Sequence, residues 1–159
     1  MRSKLLVLAI LLLSFTSHAQ APTDWSRYQW LMGDWKADSK PGQPTGTFSF
    51  ALDLNKNILV RKSHTEMPAV HEDELIIYSE HNGTPLKAIY FDNEGHTINY
   101  AIYHFDKTII MTSEKIPNMP RYRLTYVQLS PETMKTKFEI SKDGETFTTY
   151  IEGNSSKVK

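Results

Sequence analysis

The residues whose types and spacing could do chemistry are tyrosines and histidines on one face of a predicted strand pair. Side chains of a strand alternate between its two faces, so Tyr90, Tyr100 and His104 share a face that is otherwise apolar. An apolar wall with a few placed polar groups is typical of a small-molecule pocket. Tyr126 and His96 complete this candidate set. Because a lone tyrosine on such a face is usually a core residue with a satisfied hydroxyl, both interpretations stay open.

A second group of polar side chains lies on the third predicted strand. His64 and Glu66 share one face of it, and Arg61 points to the other. These groups are either polar anchors in a pocket or part of a solvated outer face. The preceding turn leaves the choice open, because one register pairs Phe50 with Arg61 and the other pairs it with Lys62.

Motifs for a covalent reaction or a metal site are scarce. The chain has no cysteine and no serine in a Gly-x-Ser-x-Gly elbow. Neighbouring strand residues point to opposite sides, so the run from His71 to Glu74 lacks the spacing of a metal site. We predict a solvated loop from Pro68 to Asp73 and no metal. Histidine titrates near neutral pH, so His64 or His104 acting as a general base is the enzymatic alternative.

A β-hairpin from Leu86 to Phe105 must position the first candidate set. Residues 93–95, Asn-Glu-Gly, suit a three-residue loop with glycine in the left-handed conformation. That loop pairs Ala88 with Tyr100 and keeps apolar side chains opposite each other on one face. The sequence therefore predicts that this face turns toward a core.

The rest of the chain reads as about ten short strands, preceded by a short helical turn over Trp25 to Leu31. Asp143-Gly144 is the strongest turn signal, and a two-residue loop there pairs Ile140 with Phe147. Nearly every connection is hairpin-short, which predicts an all-β, antiparallel up-and-down meander. Closure into a single barrel would remove its two exposed edges. A barrel of about eight or more strands leaves room for a small ligand.

The first nineteen residues have the pattern of a secretory signal peptide. Arg2 and Lys4 precede an apolar run from Leu5 to Leu13, and Ser17-His18-Ala19 offers a cleavage site after Ala19. The run is too short to cross about 30 Å of hydrocarbon as a helix. We expect export to the periplasm or the extracellular space, with one domain over residues 20–159.

Charge and composition narrow the partners of that domain. Cleavage would remove two cations from a chain with 18 basic and 18 acidic residues, which leaves a net charge of −2. Without a basic block, nucleic acid is not an expected partner. The mature chain has no second apolar span, so we expect a soluble protein, and its oligomeric state stays open. The absence of cysteine means that the core must hold the fold without disulfides.

Three motifs carry a family resemblance. Trp30-Leu31-Met32-Gly33-Asp34-Trp35, the segment Gly46–Phe50 and the segment Tyr90–His96 resemble those of small exported bacterial proteins with a lipocalin-like domain of unknown function. The likeness extends over almost the whole mature chain. It implies a calycin-type barrel in which Trp35 plugs one end, and it implies no established activity. The alternative for Trp35 is a floor that contacts a ligand.

A more distant relative by architecture is the haem-binding nitrobindin barrel, whose iron ligand is a histidine close to the C-terminus. Here the last histidine is His104, and the glycine-rich run after the first tryptophan is absent. Haem is therefore disfavoured, and no cofactor is expected.

We predict a non-catalytic barrel that binds a small, largely apolar ligand. The alternatives are an enzyme with a histidine base and a filled barrel that serves as an interaction module. An empty interior above roughly 300 Å³ would favour binding, and a packed one would favour the module. The predicted ligand contacts are Trp35, His64, Tyr90, Tyr100, His104 and Tyr126.

Overall fold

The first described element is a short helix whose buried residues are three apart. The computed structural model describes residues 23–38, 45–66, 69–81 and 86–159, and the predicted signal peptide lies outside them. A 3₁₀ helix spans Ser26–Leu31. Its three residues per turn place Trp25, Tyr28 and Leu31 on one buried face. This confirms the predicted helical turn.

Ten strands follow, and all of them pair in antiparallel fashion with their neighbours. Most of them have one apolar face and one polar face, and these strands bury a single side. No helix among the described residues is long and apolar enough to cross a membrane. The strands are β1 (Gly33–Ala37), β2 (Gly46–Asp53), β3 (Ile58–Thr65), β4 (His71–Tyr78), β5 (Lys87–Asp92), β6 (Thr97–Phe105), β7 (Thr108–Ser113), β8 (Arg121–Ser130), β9 (Thr133–Ser141) and β10 (Thr148–Lys157).

The strands form one closed up-and-down barrel, as predicted. Each strand pairs with the next in sequence, and β10 returns to pair with β1 through Trp35↔Lys157 to Ala37↔Ser155. The 3₁₀ helix covers one end of the barrel, where the Trp25 indole N–H donates to the Lys56 carbonyl in the β2–β3 turn at 2.7 Å. We call this the helix end and the opposite one the far end. The β3–β4, β5–β6, β7–β8 and β9–β10 connections lie at the far end.

Two predicted registers decide which side chains face the barrel lumen. The β5–β6 hairpin has the predicted pairs Ala88↔Tyr100 and Tyr90↔Ile98, and Gly95 is left-handed with φ +88°. In the β2–β3 hairpin, Phe50 pairs with Arg61. Of the two registers that the sequence allowed, the structure has the one that pairs Phe50 with Arg61. Arg61 therefore lies on the inner face of β3.

The predicted β9–β10 register was wrong. Ile140 pairs with Thr148, and Phe147 lies outside the strand. The Asp143 carboxylate accepts hydrogen bonds from the backbone N–H groups of Glu145 and Thr146 at 2.8 and 2.7 Å, which widens the loop. Phe147 instead packs under a guanidinium, that of Arg123, at 4.1 Å from the ring centroid.

The predicted loop from Pro68 to Asp73 was also wrong at its end. Strand β4 already begins at His71, and Asp73 pairs with Ser63 on one side and with Asp92 on the other. Alternation from Leu75 backwards turns Asp73 inward, where it is 9% exposed. A polar run that resembles a solvated loop therefore places a carboxylate in the lumen.

Apolar side chains fill the lumen toward the helix end. The Trp35 ring is fully buried, stacks against Phe48 at 6.3 Å, and donates its indole N–H to the Leu31 carbonyl at 2.7 Å. One continuous cluster of buried apolar residues surrounds it. The larger fully buried members are Tyr28, Leu31, Trp35, Phe50, Leu59, Leu75, Ile77, Ile109, Met111, Tyr126 and Met134.

Candidate functional site

A polar bridge crosses the middle of the lumen from β3 to β8. Leu59 and Arg61 are buried while Lys62 is exposed, so the alternation of β3 turns Arg61 inward. The guanidinium pairs with the Asp73 carboxylate on β4, and its Nη1 donates to the Tyr126 hydroxyl on β8 at 2.6 Å. Because β3 and β8 are not neighbours, this hydrogen bond spans the lumen. We call Arg61, Asp73 and Tyr126 the lumen bridge.

Burial determines the charge state of the lumen bridge. Burial by itself lowers the pKa of the Arg61 guanidinium. The interactions with Tyr126 and the Asp73 carboxylate raise this pKa by more than burial lowers it, so the group stays charged. Burial raises the pKa of the Tyr126 hydroxyl, which stays neutral. The remaining donor, Arg61 Nε, is buried and has no hydrogen-bond partner among the described residues. A buried donor without a partner costs free energy and requires an explanation.

Two tyrosines of the β5–β6 hairpin line the lumen near this bridge. Tyr100 is 2% exposed, and its hydroxyl makes no hydrogen bond within the described chain. The hydroxyl of half-buried Tyr90 donates to Asp92 Oδ2 at 3.3 Å and lies 3.0 Å from His71 Nε2. Burial raises the pKa of both tyrosines, so both hydroxyls stay neutral. Tyr100 thus offers a hydroxyl with a free donor and acceptor.

Histidines and carboxylates form a polar network at the far end. Asp92 accepts hydrogen bonds from the N–H groups of Glu94 and His96 at 3.0 and 2.9 Å, and its Oδ2 lies 2.8 Å from His96 Nδ1. Burial raises the pKa of Asp92, but these hydrogen bonds lower it by more, so the pKa lies below its ordinary value. The described residues contain no group of three or more side chains arranged to bind a metal ion. The network therefore orients Tyr90 through Asp92.

Open space borders the inner face of β10. Gly153 pairs with Thr136 and Ile151 with Phe138, both on the inner face of β9. A Cβ added at Gly153 would meet no atom of the described chain within 4 Å, and Ile151 is 41% exposed although it faces inward. The buried Thr136 Oγ1 also has no partner among the described residues. Ile151 and Gly153 are both exposed, so side chains do not cover this part of the inner face of β10.

No family model matches the chain, and no curated protein matches it either. The interpretation of the site therefore depends on its geometry.

The structure brings together three of the six predicted contacts and separates the others. Tyr90, Tyr100 and Tyr126 all face the lumen around Arg61, whose charge acts on each of them. Trp35 lies at the helix end, in the position of the expected plug. His104 also faces inward, but its ring packs edge-on against Tyr28 at the helix end, with centroids 4.8 Å apart.

His64 lies on the outer face of β3 and does not face the lumen. Its side chain is 46% exposed, and its Nδ1 lies 3.3 Å from Glu72 Oε1 on the neighbouring strand. Of the two interpretations of this strand, the solvated outer face applies to His64, and the pocket applies to Arg61. The sequence left both interpretations open because it did not determine the β2–β3 register, in which Phe50 pairs with Arg61.

The sequence prediction missed Asp73, His71 and Asp92 as members of the site. One signal could have found the first two: counting back in steps of two from the apolar residues Ile77 and Leu75 reaches Asp73 and then His71. A three-residue loop over residues 93–95 also places Asp92 opposite His96, where the two residues are hydrogen-bonded. The contact of Asp92 with Tyr90, two residues earlier on the same strand, follows from that placement.

Because the pKa of His104 is lowered, we predict that the free energy of unfolding decreases at mildly acidic pH. Burial and the nearby Arg27 charge lower the pKa of His104 from its ordinary value of 6.5. As the pH falls below 6.5, the unfolded chain takes up this proton before the folded chain does, so stability is lost. We expect urea denaturation to give a smaller difference between pH 7.5 and pH 5.5 for His104→Gln than for the wild type. The exposed control His64→Gln should keep the wild-type decrease, and an unchanged difference in His104→Gln would contradict the prediction.

Proposed function

We propose that the barrel binds a small, largely apolar molecule in the far half of its lumen and holds it through one acceptor oxygen. The observation that carries this proposal is the buried Arg61 Nε, which has no partner among the described residues. Ligand pockets combine apolar walls with a few fixed polar groups. The Arg61 Nε–H and the Tyr100 hydroxyl are such groups in this barrel.

The charge balance of the lumen bridge supports a particular ligand chemistry. Asp73 already neutralises Arg61, so a ligand needs no full negative charge of its own. Its oxygen has to accept hydrogen bonds, because the free donors are an N–H and a hydroxyl. A carbonyl or carboxyl group meets this requirement.

The walls around this position support an apolar body for the ligand. Ile98, Tyr122 and Phe138 are partly buried and pack against the core, and the Tyr122 and Phe138 rings stack at 5.9 Å. Apolar side chains already fill the helix half. The occupant must therefore be short enough for the space between the lumen bridge and the far end.

A purely structural role explains the lumen bridge less well. Replacing a buried ion pair with packed apolar residues is often neutral or stabilising, so stability alone is a weak reason for such a pair. The buried and unpartnered Arg61 Nε also adds a desolvation cost, whereas the Tyr100 hydroxyl is not fully shielded. A ligand oxygen between them would remove that cost.

Tyr100→Phe is the variant that tests the proposal, because it removes one hydroxyl and little volume. Native mass spectrometry of the protein from its own host is expected to reveal a bound small molecule. Titration with 2-nonanone and with nonane, followed by NMR, then compares a carbonyl with a hydrocarbon of equal length. We expect 2-nonanone to bind more tightly, and Tyr100→Phe to weaken it about three- to tenfold, the usual effect of one hydrogen bond.

Tyr103→Phe is the matched control for this titration. Tyr103 lies on the same strand but faces outward and is 61% exposed. The affinity of the Tyr103→Phe variant for 2-nonanone should therefore equal that of the wild type. Equal affinity for nonane and 2-nonanone, or equal effects of the two variants, would contradict the proposal.

We also propose that the protein acts after export and belongs with the small exported lipocalin-like proteins that it resembles. The basic start, the apolar run and the cleavage site after Ala19 support export. An intact mass that begins at Gln20 in protein from the native host would agree with this, and a mass that includes Met1 would not.

A further inference from the structure

A groove of about 440 Å³ lies at the helix end of the barrel. Arg27 and Trp30 of the 3₁₀ helix form one side, and His104, Asp106 and Lys107 at the end of β6 and in the β6–β7 turn form the other. This groove is separate from the lumen bridge and the far-end network. The ligand proposed for the lumen does not explain it.

The groove has an excess of positive charge. Neither Arg27 nor Lys107 forms an ion pair with an acidic side chain of the described chain, and Asp106 is the single acid in the groove wall. Burial and the Arg27 charge lower the pKa of His104, so its ring is neutral at pH 7. The described residues of the wall therefore carry a net charge of +1, which favours a negatively charged group on a ligand.

Size and surface favour an organic anion over an inorganic one. A volume of about 440 Å³ falls in the range of pockets for small organic molecules, roughly 300–1,000 Å³. An inorganic ion would leave most of it empty. Trp30 contributes a half-buried indole to the wall, and a planar ring can pack against such a surface.

We propose that this groove binds a small aromatic anion, a single ring that carries one carboxylate, sulfonate or phosphate group. Arg27 and Lys107 hold the anionic group, and the ring packs against Trp30. The His104 ring forms part of the wall, and its Nε2 is shielded from solvent without a hydrogen-bond partner in the described chain.

NMR titration of the full protein with three probes tests the site. Phenyl phosphate carries both recognised groups, benzyl alcohol lacks the charge, and inorganic phosphate lacks the ring. We expect phenyl phosphate to shift the Trp30 indole N–H and the His104 ring signals and to bind most tightly. Its affinity should fall as salt rises, because exposed charges are screened.

Arg27→Gln and Lys107→Gln are the decisive variants, since both side chains are exposed and neither supports the core. Each should weaken phenyl phosphate about two- to fivefold, the usual range for one exposed charge. Lys142→Gln, an exposed lysine at the far end, should leave the affinity unchanged. Benzyl alcohol or inorganic phosphate binding as tightly as phenyl phosphate would overturn the proposal. So would wild-type affinity in Arg27→Gln and Lys107→Gln, or signal changes confined to the far end.

Discussion

Replacing Asp73 with leucine will lower the free energy of unfolding by about 3–5 kcal/mol, because it leaves the buried Arg61 charge without its counterion. The Asp73 side chain is 8% exposed and that of Arg61 is 10% exposed, so little water can take its place. Urea denaturation followed by tryptophan fluorescence measures the loss. The double variant Arg61→Met with Asp73→Leu removes both charges and should recover at least half of it.

The neighbouring pair on the same two strands is the matched control for this prediction. Lys62 and Glu74 face outward, lie 3.2 Å apart, and are 69% and 48% exposed. Glu74→Leu should change stability by less than about 1 kcal/mol, as is usual for exposed pairs. A loss in Asp73→Leu no larger than that in Glu74→Leu, or no recovery in the double variant, would show that Arg61 is not a buried charge.

Replacing Trp35 with alanine will cost about 3–5 kcal/mol of stability, because it empties the most deeply buried ring of the helix end. The ring is 0% exposed, stacks against Phe48, and donates its N–H to the Leu31 carbonyl. Trp35→Phe retains most of the packing and loses the hydrogen bond, so about 1–2 kcal/mol is expected. Thermal and urea unfolding of both variants measure these effects.

The same variants separate the two interpretations of Trp35. If it is a structural plug, Trp35→Phe lowers stability and leaves the affinity for 2-nonanone unchanged. A floor that contacts the ligand would change the affinity instead. Phe105→Ala removes another large aromatic side chain, but this one is 78% exposed, and it should alter stability by no more than about 0.5 kcal/mol.

Local sequence patterns were sufficient to predict the strand register where a turn and its flanking strands require the same pairing. In the β5–β6 hairpin, the left-handed Gly95 and the apolar match of Ala88 with Tyr100 both require the same register. The closed barrel followed from hairpin-short connections and the instability of exposed edges. These inferences need only neighbours in sequence.

The site could not be predicted in the same way, because its members come from strands that are distant in sequence. Arg61 and Asp73 explain each other only when β3 and β4 are aligned, and Tyr126 reaches them from across the lumen. Viewed alone, the run from His71 to Glu74 resembles a solvated loop. The β9–β10 loop differed for another reason, since the Asp143 side chain competes with the backbone for N–H groups.

The up-and-down order of the strands has a consequence for how the barrel forms. Nine of its ten ladders join strands that are consecutive in sequence, and the ladder between β1 and β10 joins opposite ends of the described chain. That ladder contains three residue pairs, from Trp35↔Lys157 to Ala37↔Ser155. Consecutive strands can find each other at a small cost in chain entropy, whereas the last ladder requires a long loop to close. We therefore expect the ribbon to grow by consecutive hairpins and the short β1–β10 ladder to form last.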